Sequence, residues 1–269
     1  GFDLRRRQFA LSVMEKAGVD ISYYPEVTEG KVMGTYQEIP VFGAVGDNQA
    51  SFLGAVRDKE KSISVNVGTG SQVSVFSEKL YETGKGEVRP FPGGGWLYVG
   101  ASVNGGKVYE RLAVFFKEMV EFFGTPVELA AVYEGMERLG REQKVTNLRV
   151  LPALYGERET GQGGESAKSG IWGLGEENFH GADLVRGFVS GMAEELYSLY
   201  QGFPEELRSG RTGITASGNG IRKNPLLREE IEKKWKLPAA FTDREEEAAT
   251  GAAVMAGILV GKETDTHEK

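Results

Sequence analysis

The sequence predicts an α/β domain in which hairpin-paired strands lead into strand–turn–helix units. Three observations carry this. Residues 62–67 and 71–77 alternate apolar with small or polar side chains at period two, and Gly68-Thr69-Gly70 between them is a hairpin signal. Residues 39–45 and 212–216 are short strand-like runs that each turn at a glycine and pass into a helical pattern. Glycine makes up 38 of 269 residues, about 14 % against the usual ~7 %, with only 9 prolines and no collagen period, so the glycines mark turns and close backbone approaches.

The elements follow in order. Residues 2–18 space Leu4, Phe9, Leu11 and Val13 as a helix closed by Gly18. Residues 19–38 read as a connector with turns at Gly30 and Gly34. Residues 39–45 read as a short buried strand and residues 48–56 as a helix, which puts Asp47 on the sharp turn between them. After the hairpin comes a strand over 96–101. A helix over 108–123 then sets Val108, Leu112, Phe115, Met119 and Phe123 on one face, to pack on the sheet. Residues 155–175 are glycine-rich and aperiodic, a long loop of the functional kind. Asp183 caps a helix to residue 201 that carries Val185, Phe188, Val189, Met192, Leu196 and Leu199 at helical spacing. The strand at 212–216 exits through Ser217-Gly218-Asn219-Gly220, and Asn224 with Pro225 opens a helix with Leu227, Ile231 and Trp235 on one face. A strand at 239–241 and a helix over 243–259 close the chain, Ala249, Ala252, Ala253 and Ala256 suiting close packing. With no repeat, and no long linker after Glu38, the chain divides into a leading segment, 1–38, and one domain, 39–269.

Composition removes several function classes. No cysteine excludes disulfides, thiolate metal sites and cysteine nucleophiles. His180 and His267 are too few and too far apart for a zinc motif or a convincing Ser-His-Asp site. A net charge of −7, from 32 basic and 39 acidic residues, argues against nucleic acid or an anionic membrane as partner. The weakly polar run at 248–261 is shorter than the ~20 residues that span a bilayer. The expectation is a soluble, cytoplasmic protein. The chain starts Gly-Phe-Asp without Met, which reads as a piece of something longer.

Three constellations could carry chemistry. Gly46-Asp47-Asn48-Gln49-Ala50-Ser51 places a carboxylate where α/β folds hold ligands, although a helix cap explains Asp47 equally well on spacing alone. Asn66-Val67-Gly68-Thr69-Gly70-Ser71 is a tight tip that exposes backbone N–H groups and a hydroxyl to an anion without net basic charge, or else an ordinary hairpin turn. Ser217-Gly218-Asn219-Gly220 through Asn224-Pro225 lets a flat ring approach the backbone at a helix start, or is strand-exit and cap chemistry. Gly100 to Gly106 and Gly156-Glu157-Arg158 are softer candidates.

Taken together these pieces resemble the C-terminal half of an FGGY-family carbohydrate kinase. The likeness runs from about Asp3 to Gly261. It takes in GDNQAS at 46–51, VGTGS at 67–71, GASVNGG at 100–106, GER at 156–158, SGIWGL at 169–174, SGNGIRKNP at 217–225 and EAATGAAVMAG at 247–257. The wording ASVNGG and SGNGIRKN is nearest to the branch that phosphorylates sedoheptulose. The resemblance implies an actin-like ATPase (ribonuclease H-like) domain, a mixed sheet flanked by helices, using ATP and Mg²⁺. It implies that Asp47 is the catalytic base and faces the metal through water, and that Asn48 contacts the sugar. Gly68, Thr69 and Gly70 fall on a phosphate loop, Gly100 and Asn104 on nucleotide contacts, and Gly218, Asn219, Gly220 and Asn224 on the adenosine loop, with Lys223 as an apparent insertion.

The chain also departs from the family. Ser190-Gly191 stands where Glu-Gly is common, and Glu159-Thr160 follows GER where a small residue and Pro are common. The Asp-x-Gly-Thr hairpin of the family's N-terminal half is missing, so an open half-site with little turnover is expected, awaiting an N-terminal sugar-binding domain. Competing readings are a non-catalytic nucleotide- or sugar-binding regulatory relative, and an interaction domain whose glycine turns are only structural.

Overall fold

A computed structural model describes residues 1–143, 145–156, 169–242, 244 and 246–267, with the side chains of the last helix described to residue 261. The leading part is made of small local units. Strands β1 (Phe2–Asp3) and β2 (Gln8–Phe9) pair antiparallel, and the Phe2 and Phe9 rings meet edge to face at 5.7 Å. Helix α1 (Leu11–Lys16) ends as the sequence predicts: Gly18 has φ +76° and the Val19 N–H donates to the Met14 carbonyl at 3.0 Å. The helix is shorter than the expected 2–18 because Arg5-Arg6-Arg7 interrupts the apolar spacing and Arg7 turns the chain at φ +53°.

A second correction concerns the strand expected over 39–45. Strand β3 (Val32–Tyr36), inside the presumed connector, pairs with β4 (Ile39–Phe42) through a two-residue turn in which Gln37 and Glu38 have φ of 49° and 67°. This hairpin lies outside the main sheet, so Ile39 is 64 % exposed rather than buried. The expected 38/39 division falls at its tip.

Helix α2 (Asp47–Ala55) leads to β5 (Ser62–Val67), β6 (Ser71–Ser77), β7 (Glu87–Pro90) and β8 (Trp96–Ser102). Helices α3 (Gly106–Phe122) and α4 (Leu129–Glu142), a small hairpin of β9 (Arg149–Leu151) and β10 (Gly170–Trp172), the long α5 (Gly181–Gln201) and the one-turn α6 (Glu205–Arg208) follow. The chain closes with β11 (Gly213–Ser217), α7 (Asn219–Arg222), α8 (Pro225–Trp235), β12 (Ala239–Phe241) and α9 (Glu247–His267). Six strands form the main sheet in the order β12-β11-β5-β6-β8-β7, parallel from β12 to β5 and antiparallel beyond.

Side-chain alternation divides the sheet into two faces. Val65, Val67, Val73, Val75 and Ala216 are fully buried in one layer with α3, α5 and α8, each valine contributing roughly 1.5–3 kcal/mol of apolar burial. Phe76, Leu97 and Val99 meet Phe52 and Ala55 of α2 on the other face. Behind α2 lies α9, and the two helices cross at glycines: a Cβ on Gly54 would strike the Glu247 carbonyl, and one on Gly251 the Ala50 carbonyl.

The close face of α9 is therefore Gly251, and the expected Ala249, Ala252 and Ala253 are exposed. Asp183 does not cap α5. His180 is the N-cap, and Asp183 is buried in the first turn, accepting from Gln143 Nε2 at 2.9 Å. The apolar stripe of α3 leaves the core halfway, with Val108 and Leu112 buried and Phe115, Met119 and Phe123 exposed. Asn224 caps α8 as predicted, accepting from the Leu227 N–H at 3.1 Å with Pro225 at the first position. The expected start of the last helix at Asp243 lies outside the described residues, as do Glu157, Arg158, Glu159 and Thr160.

Candidate functional site

Three loops converge at the end of β5. The tip of the β5–β6 hairpin closes with the Gly68 N–H donating to the Gly70 carbonyl at 2.9 Å. Against it lies the start of α3: the Gly106 N–H donates to the Gly68 carbonyl at 2.7 Å, and a Cβ on Gly105 would collide with the Gly70 carbonyl. The third loop follows β11. Gly218 has φ +87°, a left-handed backbone that L side chains rarely adopt, and a Cβ there would sit 2.5 Å from the Val67 carbonyl oxygen. The Asn66 side chain donates to Ser217 Oγ at 2.8 Å across the β5–β11 pair, so the two loops share one footing.

This arrangement brings Gly68, Thr69, Gly70, Gly218, Asn219 and Gly220 together, with Thr69 and Asn219 exposed. It offers backbone N–H groups and the first turn of a 17-residue helix to an anion. Lys107 in that first turn lies 3.8 Å above the Tyr155 ring, a contact the sequence did not announce.

Other predicted residues serve as supports. Gly100 is buried in β8, where a Cβ would come within 2.9 Å of Leu199 Cβ on α5. Asn104 is 1 % exposed and its amide is engaged by protein partners: Nδ2 donates to the Gly156 carbonyl (2.9 Å) and Glu195 Oε1 (3.1 Å), and Oδ1 accepts from the Tyr155 N–H (3.1 Å). Asn224 is likewise buried, its Oδ1 spent on the α8 cap. Glu195 was missed by the sequence reading, while Ser71 and Ser102 lay inside the motifs VGTGS and GASVNGG but were given no role of their own.

Asp47 is the first residue of α2, behind the N-cap Gly46, and is exposed; its Oδ1 accepts from the Asn48 N–H at 2.7 Å. Among the described residues no hydrogen bond or ion pair joins Asp47 or Asn48 to the three loops. Beside Gly46, a pocket of about 230 Å³ is lined by Arg7, Glu29, Gln49 and Met255, drawing together the leading segment, α2 and α9. A groove of about 660 Å³ between α5 and the β9–β10 hairpin passes Ser190 and Gly191, where the sequence departs from the family, and stands apart from the loops. Among the described residues no three His, Cys, Asp or Glu side chains group as a metal site, and no helix is long and apolar enough to cross a membrane.

The architecture is the actin-like ATPase fold of sugar kinases. The chain aligns with the xylulose kinase of Lactobacillus acidophilus at a TM-score of 0.80 and 16 % identity, over 97 % of this chain and 53 % of that one. The glycerol kinase of Plasmodium falciparum with ADP aligns at 0.74 and 17 %, over 96 % and 52 %. The resemblance to FGGY carbohydrate kinases leads, in sequence, to sedoheptulokinase. The mouse (Mus musculus) enzyme is 28 % identical over 272 residues, and the human (Homo sapiens) enzyme 24 % identical over 274, each match taking in 94 % of this chain. The chain spans about half, 55 %, of the length of these relatives. No family model matches it.

Proposed function

We propose that this chain is the nucleotide-holding half of an FGGY-type kinase that phosphorylates a ketose, with sedoheptulose the first candidate. One coincidence carries the reading: the backbone cradle at 68–70, 105–106 and 218–220 lies within a stretch that is 28 % identical to sedoheptulokinase over 94 % of the chain. Residues 39–269 form the nucleotide domain. Residues 1–38 are the trailing segment of a sugar-binding N-terminal domain and its connector, so this half alone has little turnover.

Bound MgATP supplies the phosphoryl group; the chain supplies position and a proton acceptor. Amides of residues 69–70 and the Thr69 hydroxyl hold the phosphoryl oxygens, and Gly218, Asn219 and Gly220 leave room for the nucleoside. Gly100, Asn104 and Asn224 support these loops from beneath. Asn48 orients the sugar. Asp47 takes the hydroxyl proton onto a carboxylate oxygen as the sugar O–P bond forms and the bond to the ADP leaving group breaks. An ordinary carboxylate suffices, because that proton becomes acidic only as the bond forms. Mg²⁺ is commonly held by one or two carboxylates with phosphates and waters, so Asp47 acting through water is a fitting donor.

The test is ADP release by the whole protein across a sugar panel, together with Asp47→Ala and Asp47→Asn. Turnover with one ketose that both variants abolish is the expected result. Full turnover in either variant would remove Asp47 from its role.

A further inference from the structure

We infer that Glu195 and Ser102 act through Asn104 as a clamp that holds the 68–70 loop in its anion-binding shape, making Asn104 a positioning residue. The inference deepens the kinase reading and rests on it.

The clamp is a half-buried network one residue from the loop, with Ser71 and Asn104 buried and Ser102 and Glu195 partly so. Ser71, which follows Gly70, donates from Oγ to the Asn104 carbonyl at 2.8 Å. The Asn104 N–H donates to Ser102 Oγ at 2.9 Å, and Ser102 Oγ donates to Glu195 Oε1 at 2.5 Å. Asn104 Nδ2 reaches the same Glu195 oxygen at 3.1 Å. One carboxylate oxygen thus collects a hydroxyl and an amide from the strand that feeds α3. Hydrogen bonds to an ionised acceptor are shorter and stronger than neutral ones, and a shared acceptor couples its two donors.

Glu195 is itself well anchored. It sits in the 21-residue α5, whose Met192, Ala193 and Leu196 are buried in the core. At the other end Asn104 holds the Tyr155 N–H and the Gly156 carbonyl. The clamp therefore ties the hairpin tip, the start of α3, α5 and residues 155–156 into one unit. Moving residues 102–106 moves the tip, because Gly105 is packed on Gly70 and the Gly106 N–H holds the Gly68 carbonyl. Without the Glu195 oxygen, the Ser102 hydroxyl and one Asn104 amide proton lose their shared acceptor in a half-buried site, and the segment must shift, or take up water, to recover one. Small displacements of groups aimed at a transferring phosphoryl group are costly in rate.

The experiment compares the whole protein with Glu195→Leu, Glu195→Gln, Asn104→Asp, Thr69→Ala and the Glu195→Leu/Thr69→Ala double variant. Amide exchange at Gly68 and Gly106 should quicken about tenfold or more in Glu195→Leu and stay near wild type in Glu195→Gln, which keeps the acceptor oxygen. In turnover, kcat should fall about 10- to 100-fold in Glu195→Leu, with KM for ATP moving less than about threefold, and Glu195→Gln should restore it. The double variant should be no worse than Thr69→Ala, since both changes disable the same loop. Unchanged exchange at Gly68 and Gly106, additive losses in the double variant, or an Asn104→Asp that weakens ADP binding while Glu195→Leu does not, would each overturn the clamp. Should Glu195→Leu not fold, Ser102→Ala replaces it and faces the same three outcomes. A wild-type protein that transfers phosphate to no sugar defeats the kinase reading instead, and the exchange data still decide the clamp.

Discussion

The two ends of the candidate site are built on different terms. Around Val67 to Gly70, each loop is fixed by backbone contact with another, and a half-buried network stands behind them. Around Asp47, the carboxylate is exposed, bonded to its own neighbour's N–H, and carried by a nine-residue helix leaning on α9. Backbone N–H groups held in place suit an anion, which can be bound by position without any mobile side chain. An open carboxylate suits chemistry that is completed when something else arrives. On the proposed reading, the contrast puts preorganisation at the end that would hold the nucleotide and leaves the end at Asp47 open.

The sharpest way to break this contrast is Asp47→Asn in the whole protein. A loss of roughly 10²–10⁴-fold in kcat is expected, with ATP affinity by calorimetry within about twofold of wild type. A parallel loss of ATP affinity would mean that the two ends are not separate. Next comes Gly251→Leu, which drives a side chain into the Ala50 carbonyl. Overpacking of this kind costs about 1–3 kcal/mol, read as a lowered midpoint in urea, and should depress kcat more than ATP affinity because α2 moves with α9. Gly218→Val loads the other end: a left-handed position gains a β-branched residue against the Val67 backbone, and ATP binding should weaken about tenfold or more.

The smallest effect is in pH. Burial raises the Tyr109 hydroxyl, in α3 beneath the loops, well above the ordinary tyrosine range. The folded protein then keeps that proton at a pH where the unfolded chain has lost it. Its contribution to stability is whole below about pH 10 and falls away as pH climbs from there through the higher folded-state value. A plot of Tm against pH should decline in that window, and Tyr109→Phe should flatten the decline.

Much of this was legible where local rules decide. The Gly68-Thr69-Gly70 tip, the Asn224-Pro225 helix start and the Gly18 stop each depend on a few adjacent residues, and the structure has all three. The sequence misled where a distant partner decides. Ile39–Phe42 has the composition of a core strand but pairs with β3 in a separate hairpin outside the main sheet, and no local pattern announces that. Helix α4 went unread because its buried stripe of Val132, Met136 and Gly140 is thin and ends on a glycine, which local rules read as a stop. Glu195 was invisible for the same reason: its partners are more than 90 residues away in the chain.

The pairing of β5 with β11 has a consequence for how the molecule is made. Asn66 and Ser217, joined side by side, are 151 positions apart. The β5–β6 hairpin can form early from its own neighbours, whereas closing a loop of that length waits on everything between. On the ribosome the 68–70 tip therefore waits for the time it takes to synthesise the residues up to Gly218, which completes its footing. Through that interval the parallel edge of β5 is unpaired, and its Ser64 and Asn66, polar where Val65 and Val67 are not, make one side of a waiting strand less adhesive.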